Sequence, residues 1–305
     1  MQTSLLPRKC PSCGSDVNQD GIQAKTPAED LDAATLRQYW NGFFKEHMFF
    51  SYRRCVQCSL LFAPKYLSSE LMADLYSNMP DNTAGLPQSV LEKTQYGYFR
   101  ELRRFSQLNG VYGEIGPDIG LFTQYCIKKG NFDKFLLWEP NQRVHGSLDS
   151  QLKDKAYSIS TDMLNLDVAE NCSLSTLIMI HVLDHILDPL DFIRNARAKM
   201  SKGAILLIVT HDERSTLAKV LGRNWPAYCL QHPQLYCQKS MRKFLEIAGF
   251  EVKSIDKSIN YFPITYLMKH ALWAAGLRRM KLPDFNRPVL PLKLGNIITI
   301  AQKVV

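Results

Sequence analysis

The chain has 305 residues, 46% hydrophobic and 22% charged, enough apolar material for a substantial core, which excludes a disordered or collagen-like protein. Its net charge of +8 is uneven: residues 1–60 and 61–260 each carry +1 and residues 261–305 carry +6, so the basicity belongs to the C-terminal segment. No stretch reaches the roughly 18 apolar residues of a membrane span and Met1 to Pro7 is too short for a signal peptide, so a cytoplasmic location is expected.

In that reducing compartment the eight cysteines read as metal ligands and buried thiols rather than as disulfides. Cys10-Pro-Ser-Cys13-Gly14 and Cys55-Val-Gln-Cys58 are two Cys-x-x-Cys pairs separated by 41 residues. Each pair forms a knuckle, and two pairs complete a closed tetrahedral shell, so structural Zn2+ on Cys10, Cys13, Cys55 and Cys58 is expected, with no open position for catalysis. Cys126, Cys172, Cys229 and Cys237 lack such pairing and read as ordinary buried residues. Between the pairs, Thr26-Pro27-Ala28-Glu29 has the form of a capping box with Pro at the first helical position, predicting a helix to about Phe44. Residues 1–76 are read as a zinc ribbon with this helical insertion, and the Pro/Gly/Asn-rich segment 77–88 as a linker.

A helix is predicted from about Ser89 to Leu108. Apolar runs then alternate with helical patterns: Val111–Ile115 with Leu121–Lys129, Lys134–Trp138 with Asn141–Leu152, Leu174–Ile180 with Leu190–Met200, and Ala204–Thr210 with Ser215–Leu221. This β-α-β alternation predicts an α/β, doubly wound, mostly parallel sheet, with ligands beyond the C-terminal ends of its strands. Between a strand near Phe250–Ile255 and a last strand near Asn296–Ala301 lies an insertion, about 258–290. Its helix places Ile264, Leu267, Met268, Ala271, Leu272 and Ala275 at helical spacing, and Arg278-Arg279-Met280-Lys281 follows. The favoured reading is a lid helix with a solvated basic end; the alternative is a peripheral membrane contact through 261–281.

The first strand ends in Glu114-Ile-Gly116-Pro117-Asp118-Ile-Gly120, a tight turn that lets a ligand approach bare backbone. The second ends in Leu137-Trp138-Glu139, where a carboxylate can accept hydrogen bonds from ribose hydroxyls. A nucleotide-like ligand is implied, and the glycine spacing disfavours a nicotinamide cofactor. These segments resemble the class I S-adenosylmethionine (SAM)-dependent methyltransferases, and others match in order: Thr161-Asp162-Met163; Met179 through His181, Asp184 and His185 to Asp188-Pro189; Gln238–Met241 running into Phe244–Phe250; and Leu294–Lys303. The ribbon resembles that of methyltransferases acting on sugars and other small molecules.

The resemblance implies a Rossmann-like seven-stranded methyltransferase domain over residues 89–305, and SAM as cofactor. It implies that Glu114, Gly116, Gly120 and the backbone around them hold the amino-acid end of SAM, Glu139 the ribose and Asp162 the adenine amine. Asp118 stands where the family has its middle glycine; it is read as a helix cap, the alternatives being contact with the SAM ammonium or repulsion of its carboxylate. His181 is expected to line the cofactor pocket or the acceptor side. His181, His185, His211 and His232 are the candidate bases, and Asp212, Trp225, Tyr228 and His232 the candidate substrate wall. The His181-x-x-Asp184-His185 pattern would need one helix face to bind a metal, and its place at a strand end argues against that.

The function expected is methyl transfer to a small-molecule or glycan-type acceptor, with O-methylation favoured. No additional C-terminal domain is expected after the last strand, which weighs against sugar C-methylation. The alternatives are a zinc-ribbon RNA-binding or RNA-modifying protein, disfavoured by the +1 charge of residues 1–60, and a catalytically inactive SAM-binding scaffold. No nucleic-acid partner is expected, and the sequence leaves the oligomeric state open.

Overall fold

The computed structural model describes residues 5–40, 48–77, 86–274 and 288–304. The amino-terminal module contains strands β1 (Asn18–Asp20), β2 (Arg53–Cys55) and β3 (Leu61–Phe62), with helices α1 (Ala33–Tyr39) and α2 (Ser69–Ser77). The helix predicted from Thr26 starts later. Asp32 is its N-cap, accepting from the Thr35 N–H, because Glu29, the other half of the expected box, accepts instead from the backbone N–H of Ser51 across the module. The predicted continuation to Phe44 and most of the 77–88 segment lie outside the described residues.

Helix α3 (Gln88–Leu102) leads into a regular alternation: β4 (Asn109–Ile115), α4 (Leu121–Lys129), β5 (Asn131–Trp138), α5 (His145–Leu152), β6 (Ala156–Ser160), β7 (Leu174–Ile180), α6 (Pro189–Lys199), β8 (Met200–His211) and α7 (Thr216–Leu221). Then come β9 (Gln234–Leu235), α8 (Gln238–Ile247), β10 (Glu251–Lys257), β11 (Asn260–Pro263), α9 (Ile264–Ala274), β12 (Val289–Leu292) and β13 (Asn296–Gln302). Helix α3 is shorter than predicted, ending at Leu102.

The central sheet has seven strands in the order β6-β5-β4-β7-β8-β13-β10. β6, β5, β4, β7 and β8 run parallel, and β13 is antiparallel to both β8 and β10. Strands buried on both faces need continuous apolar runs, and Leu177–Ile180 and Ala204–Val209 supply them. β6 was not anticipated: Ala156-Tyr-Ser-Ile-Ser is half polar, as an edge strand permits. Strand order reverses between β4 and β7, so the crevice at the carboxyl ends of β4, β5, β7 and β8 is where a ligand belongs.

The amino-terminal module is tied into this body. β9, from the loop after α7, pairs antiparallel with β3 and completes a four-stranded sheet β9-β3-β2-β1. The core beneath the sheet contains Cys10, Cys55, Cys58 and Phe62 beside Met179 and Tyr236. A second core joins Phe49, Tyr52 and Tyr66 of the module to Trp225, Tyr228 and Leu230 of that loop. Helix α9 occupies the predicted insertion, with Met268 exposed; the basic cluster Arg278–Lys281 lies outside the described residues. Among the described residues no helix is long and apolar enough to cross a membrane.

Candidate functional site

The turn after β4 alternates into the left-handed region, with φ of 67° at Gly116, 52° at Asp118 and 79° at Gly120. At the two glycines a side chain would also crowd its neighbours, since a Cβ would stand 2.8 Å from Val182 Cγ2 or 2.7 Å from Leu148 Cδ2, either of which would have to shift. Asp118 holds the same kind of conformation at a steric cost, and its N–H donates to Glu139 Oε2 at 2.9 Å. Glu139 Oε1 accepts from the Asn141 N–H at 2.8 Å. Both carboxylate oxygens are thus oriented by backbone at the ends of neighbouring strands, although burial raises the Glu139 pKa. Asp118 does not cap the following helix: the N-cap of α4 is Gly120, and no side-chain cap hydrogen bond forms there.

Glu114 points into the core, where Tyr112 and Thr123 donate to Oε2. Burial raises it from 4.5 to about 7, against these two hydrogen bonds. Asp162 lies in the exposed loop after β6, and its Oδ1 accepts from the N–H groups of Leu164 and Asn165.

The carboxyl ends of β7 and β8 hold a cluster that no contiguous motif spells out. His181, just beyond β7, has φ 54°, a strained conformation for a side chain of this size. Asp184 is fully buried, and its Oδ2 accepts from the backbone N–H of His211 at 3.1 Å and stands 2.9 Å from His211 Nδ1. The rings continue from His181 to His211 (4.8 Å between centroids), His211 to His232 (4.8 Å) and His232 to His185 (4.7 Å). His232 Nδ1 lies 2.7 Å from the carbonyl of Ala227, so Nδ1 carries the proton and Nε2 the lone pair. Burial drives every imidazole here toward neutrality: His181 to about 3, His211 and His232 to about 4, and His185 well below its usual value. It pushes Asp184 up to about 6.

The amino-terminal module shapes the other wall. The Tyr76 hydroxyl, on α2, lies 2.9 Å from His185 Nδ1. The Tyr52 hydroxyl donates to the His232 carbonyl at 2.7 Å, and Tyr66 donates to that of Leu230. Arg54 forms a bidentate pair with the buried Glu213 at 2.8 and 2.9 Å, and Arg8 donates to the carbonyl of Leu187 at 2.6 Å and to Gln234 Oε1 at 3.0 Å. The loop 225–236 is therefore held in shape largely from the ribbon side. The sulfurs of Cys10, Cys13, Cys55 and Cys58 lie within 4.8 Å of one another, a spacing suited to one tetrahedral ion about 2.3 Å from each.

The four histidines named from sequence come together. Trp225 lies against both His211 (6.1 Å) and Tyr228 (5.1 Å), but Tyr228 packs in turn on Phe49 and Tyr52, within the core that holds the loop. Asp212 is buried and accepts from the Arg214 N–H, closing a turn. Cys126, Cys229 and Cys237 are buried as expected, whereas Cys172 is exposed, on a left-handed backbone in the turn before β7. Sequence reasoning did not name Asp184, Tyr76 or Asn296 as site residues. Asp184 and Asn296 stood inside matching segments, but nothing in the sequence marks Tyr76. The metal-ligand pattern set aside for lack of a helix face returns in another form: His181, Asp184 and His211 bring one ligand atom each within 4.8 Å, from the ends of two adjacent strands.

A family profile described as a methyltransferase domain matches residues 90–255. A chain of the complex between the Haloferax volcanii Trm112 methyltransferase activator and a methyltransferase superposes with a TM-score of 0.51 at 10% identity, covering 71% of this chain and 92% of that one. A SAM-dependent methyltransferase from Listeria monocytogenes gives 0.48 at 11% identity, covering 68% and 98%. A methyltransferase from Bacillus halodurans gives 0.47 at 12%, covering 70% and 100%. At such identities these likenesses concern the fold alone. Among curated proteins, none matches the chain.

Proposed function

The chain belongs to the methyltransferase-domain family, and on that premise we propose that it transfers a methyl group from SAM to a hydroxyl of a small-molecule or glycan-type acceptor. One juxtaposition carries the reading. The bare-backbone turn at 116–120 with Glu139, and the cluster of four imidazoles around Asp184, open from the carboxyl ends of neighbouring strands of one sheet.

The chain's residues fit the cofactor. Gly116 and Gly120 keep the left-handed turn free of side chains so that backbone can approach a ligand, and Glu139 is oriented to accept from ribose hydroxyls. Glu114 fixes the base of the turn, and Asp162 stands at the adenine end. When bound, SAM supplies a methyl already activated by sulfonium, so the protein needs alignment, exclusion of water and a proton acceptor rather than a nucleophile. His232 would take the proton of the acceptor hydroxyl at Nε2, the lone pair left by the bond from Nδ1 to the Ala227 carbonyl. The buried Asp184 carboxylate stabilises the imidazolium so formed. His185, positioned by Tyr76, and Trp225 line the acceptor side. Four thiolates on structural zinc hold the ribbon that backs this wall.

Two measurements test the reading. Calorimetric titration with SAM and S-adenosylhomocysteine should show micromolar binding of both and none of NAD; absence of SAM binding overturns it. Labelled methyl transfer to a panel of sugars, polyols and phenols should then find hydroxyl acceptors. His232→Ala should lower kcat by about a hundredfold or more with SAM affinity retained, and undiminished turnover removes His232 as the base.

A further inference from the structure

The histidine cluster contains more polar capacity than the protein itself satisfies. Asp184 is fully buried, with Oδ2 engaged by His211 and Oδ1 lacking any hydrogen-bond partner. His181 Nδ1 is likewise buried and without a partner. A buried carboxylate oxygen and a buried ring nitrogen left unsatisfied are each costly. Both belong to the residues that, with His211, bring ligand atoms within 4.8 Å of one another. The left-handed backbone of His181 holds its side chain there at a steric cost.

We propose that His181, Asp184 and His211 bind one divalent transition-metal ion, separate from the four-cysteine site, with oxygens of the acceptor completing its coordination. Two imidazoles and a carboxylate with positions left open suit zinc, iron or cobalt better than calcium or magnesium, which prefer all-oxygen shells. Ligands about 2.1 Å from one ion stand roughly 3–4 Å apart, so the three ligand atoms, within 4.8 Å of one another, need to close by no more than about an ångström, with the unpartnered Oδ1 of Asp184 turned to the ion. Asn296 Nδ2 lies 3.3 Å from His181 Nε2; binding of the ion through Nδ1 requires this amide to turn over, so that its carbonyl accepts from Nε2–H and the lone pair moves to Nδ1. His232 stays outside the shell as proton acceptor. The acceptor class narrows to hydroxyls with a second oxygen on the adjacent carbon, which can reach one ion together.

The inference rests on reading this cluster as the acceptor pocket, but its test needs no turnover. Full-length protein carrying one equivalent of zinc is titrated with Co2+ and followed by equilibrium dialysis and visible absorption. One further equivalent should bind, with ligand-field bands and no thiolate charge-transfer band. Asp184→Asn and His211→Ala should each weaken it by roughly tenfold to a hundredfold while zinc content is unchanged. Should either variant fold poorly, His181→Gln serves the same purpose, and the absence of thiolate charge transfer in the wild type already separates the two sites. No cobalt beyond the cysteine site, or a second equivalent indifferent to these substitutions, overturns the inference. SAM binding without a second ion would sink this site and leave the methyltransferase reading intact; a second ion without SAM binding would do the reverse.

Discussion

The proposed cofactor side and the proposed acceptor side of the crevice are built in opposite ways. The turn at 116–120 and Glu139 come from one β-α-β unit and work through backbone: left-handed φ values, absent side chains and two N–H groups on one carboxylate. The acceptor side is made of side chains delivered by distant segments, with Tyr76 from α2, Asp184 and His185 after β7, His211 at the end of β8 and His232 in a loop fastened to the ribbon. A backbone cradle suits a ligand that is the same in every turnover. A wall of side chains on a loop can be changed without rebuilding the sheet.

This contrast is most severely tested by removing the ribbon's metal shell. Cys55→Ser should abolish binding worth on the order of 10 kcal/mol, with methyl transfer lost and SAM affinity reduced by less than about tenfold; equal loss of both would dissolve the distinction. Next comes Arg54→Ala, which removes the bidentate partner of the buried Glu213 and leaves it only Arg214 Nε at 3.3 Å. Urea unfolding should register a cost of about 1–3 kcal/mol, and KM for the acceptor should rise more than the Kd for SAM.

On the cofactor side the effects are smaller. Burial lifts the Glu114 pKa from 4.5 to about 7, so the folded state holds its proton more tightly than the unfolded chain. The stability this contributes is complete below about pH 4.5 and is lost as pH rises through 7, a fall of about 3 kcal/mol. Glu114→Gln should flatten that part of the stability profile, and a profile unchanged by the substitution would show that Glu114 is ionised when folded. Smallest is Asp118→Gly. Relief of left-handed strain is offset by the entropy of glycine, leaving stability within about 1 kcal/mol, while on the reading in which the Asp118 carboxylate repels that of SAM its loss should tighten SAM binding roughly twofold to fivefold.

The same contrast explains what the sequence could reveal. Apolar runs such as Leu177–Ile180 and Ala204–Val209 announce themselves because a strand covered on both faces has few polar positions, and the 114–139 segment is legible because its parts touch within one unit. Glu29 misled because a capping box is a local pattern and its carboxylate found a partner 22 residues away. Tyr228 looked like a recognition residue, but its neighbours Phe49 and Tyr52 come from a module that periodicity alone could not bring to the same loop. Asp184 and His211 are 27 residues apart, and only the parallel register of β7 and β8 makes them neighbours.

The pairing of β3 with β9 also sets an order of events during synthesis. Leu61 meets Leu235, so the ribbon sheet waits for its last strand until more than 170 further residues have been made. At about 5–20 residues per second that interval is roughly ten to thirty seconds. Through it β3 exposes an unpaired edge of Leu and Phe, the kind of surface that recruits chaperones or neighbouring chains. The nascent protein is therefore most vulnerable before its catalytic domain exists, and early zinc capture at the two knuckles would limit how far that edge can wander.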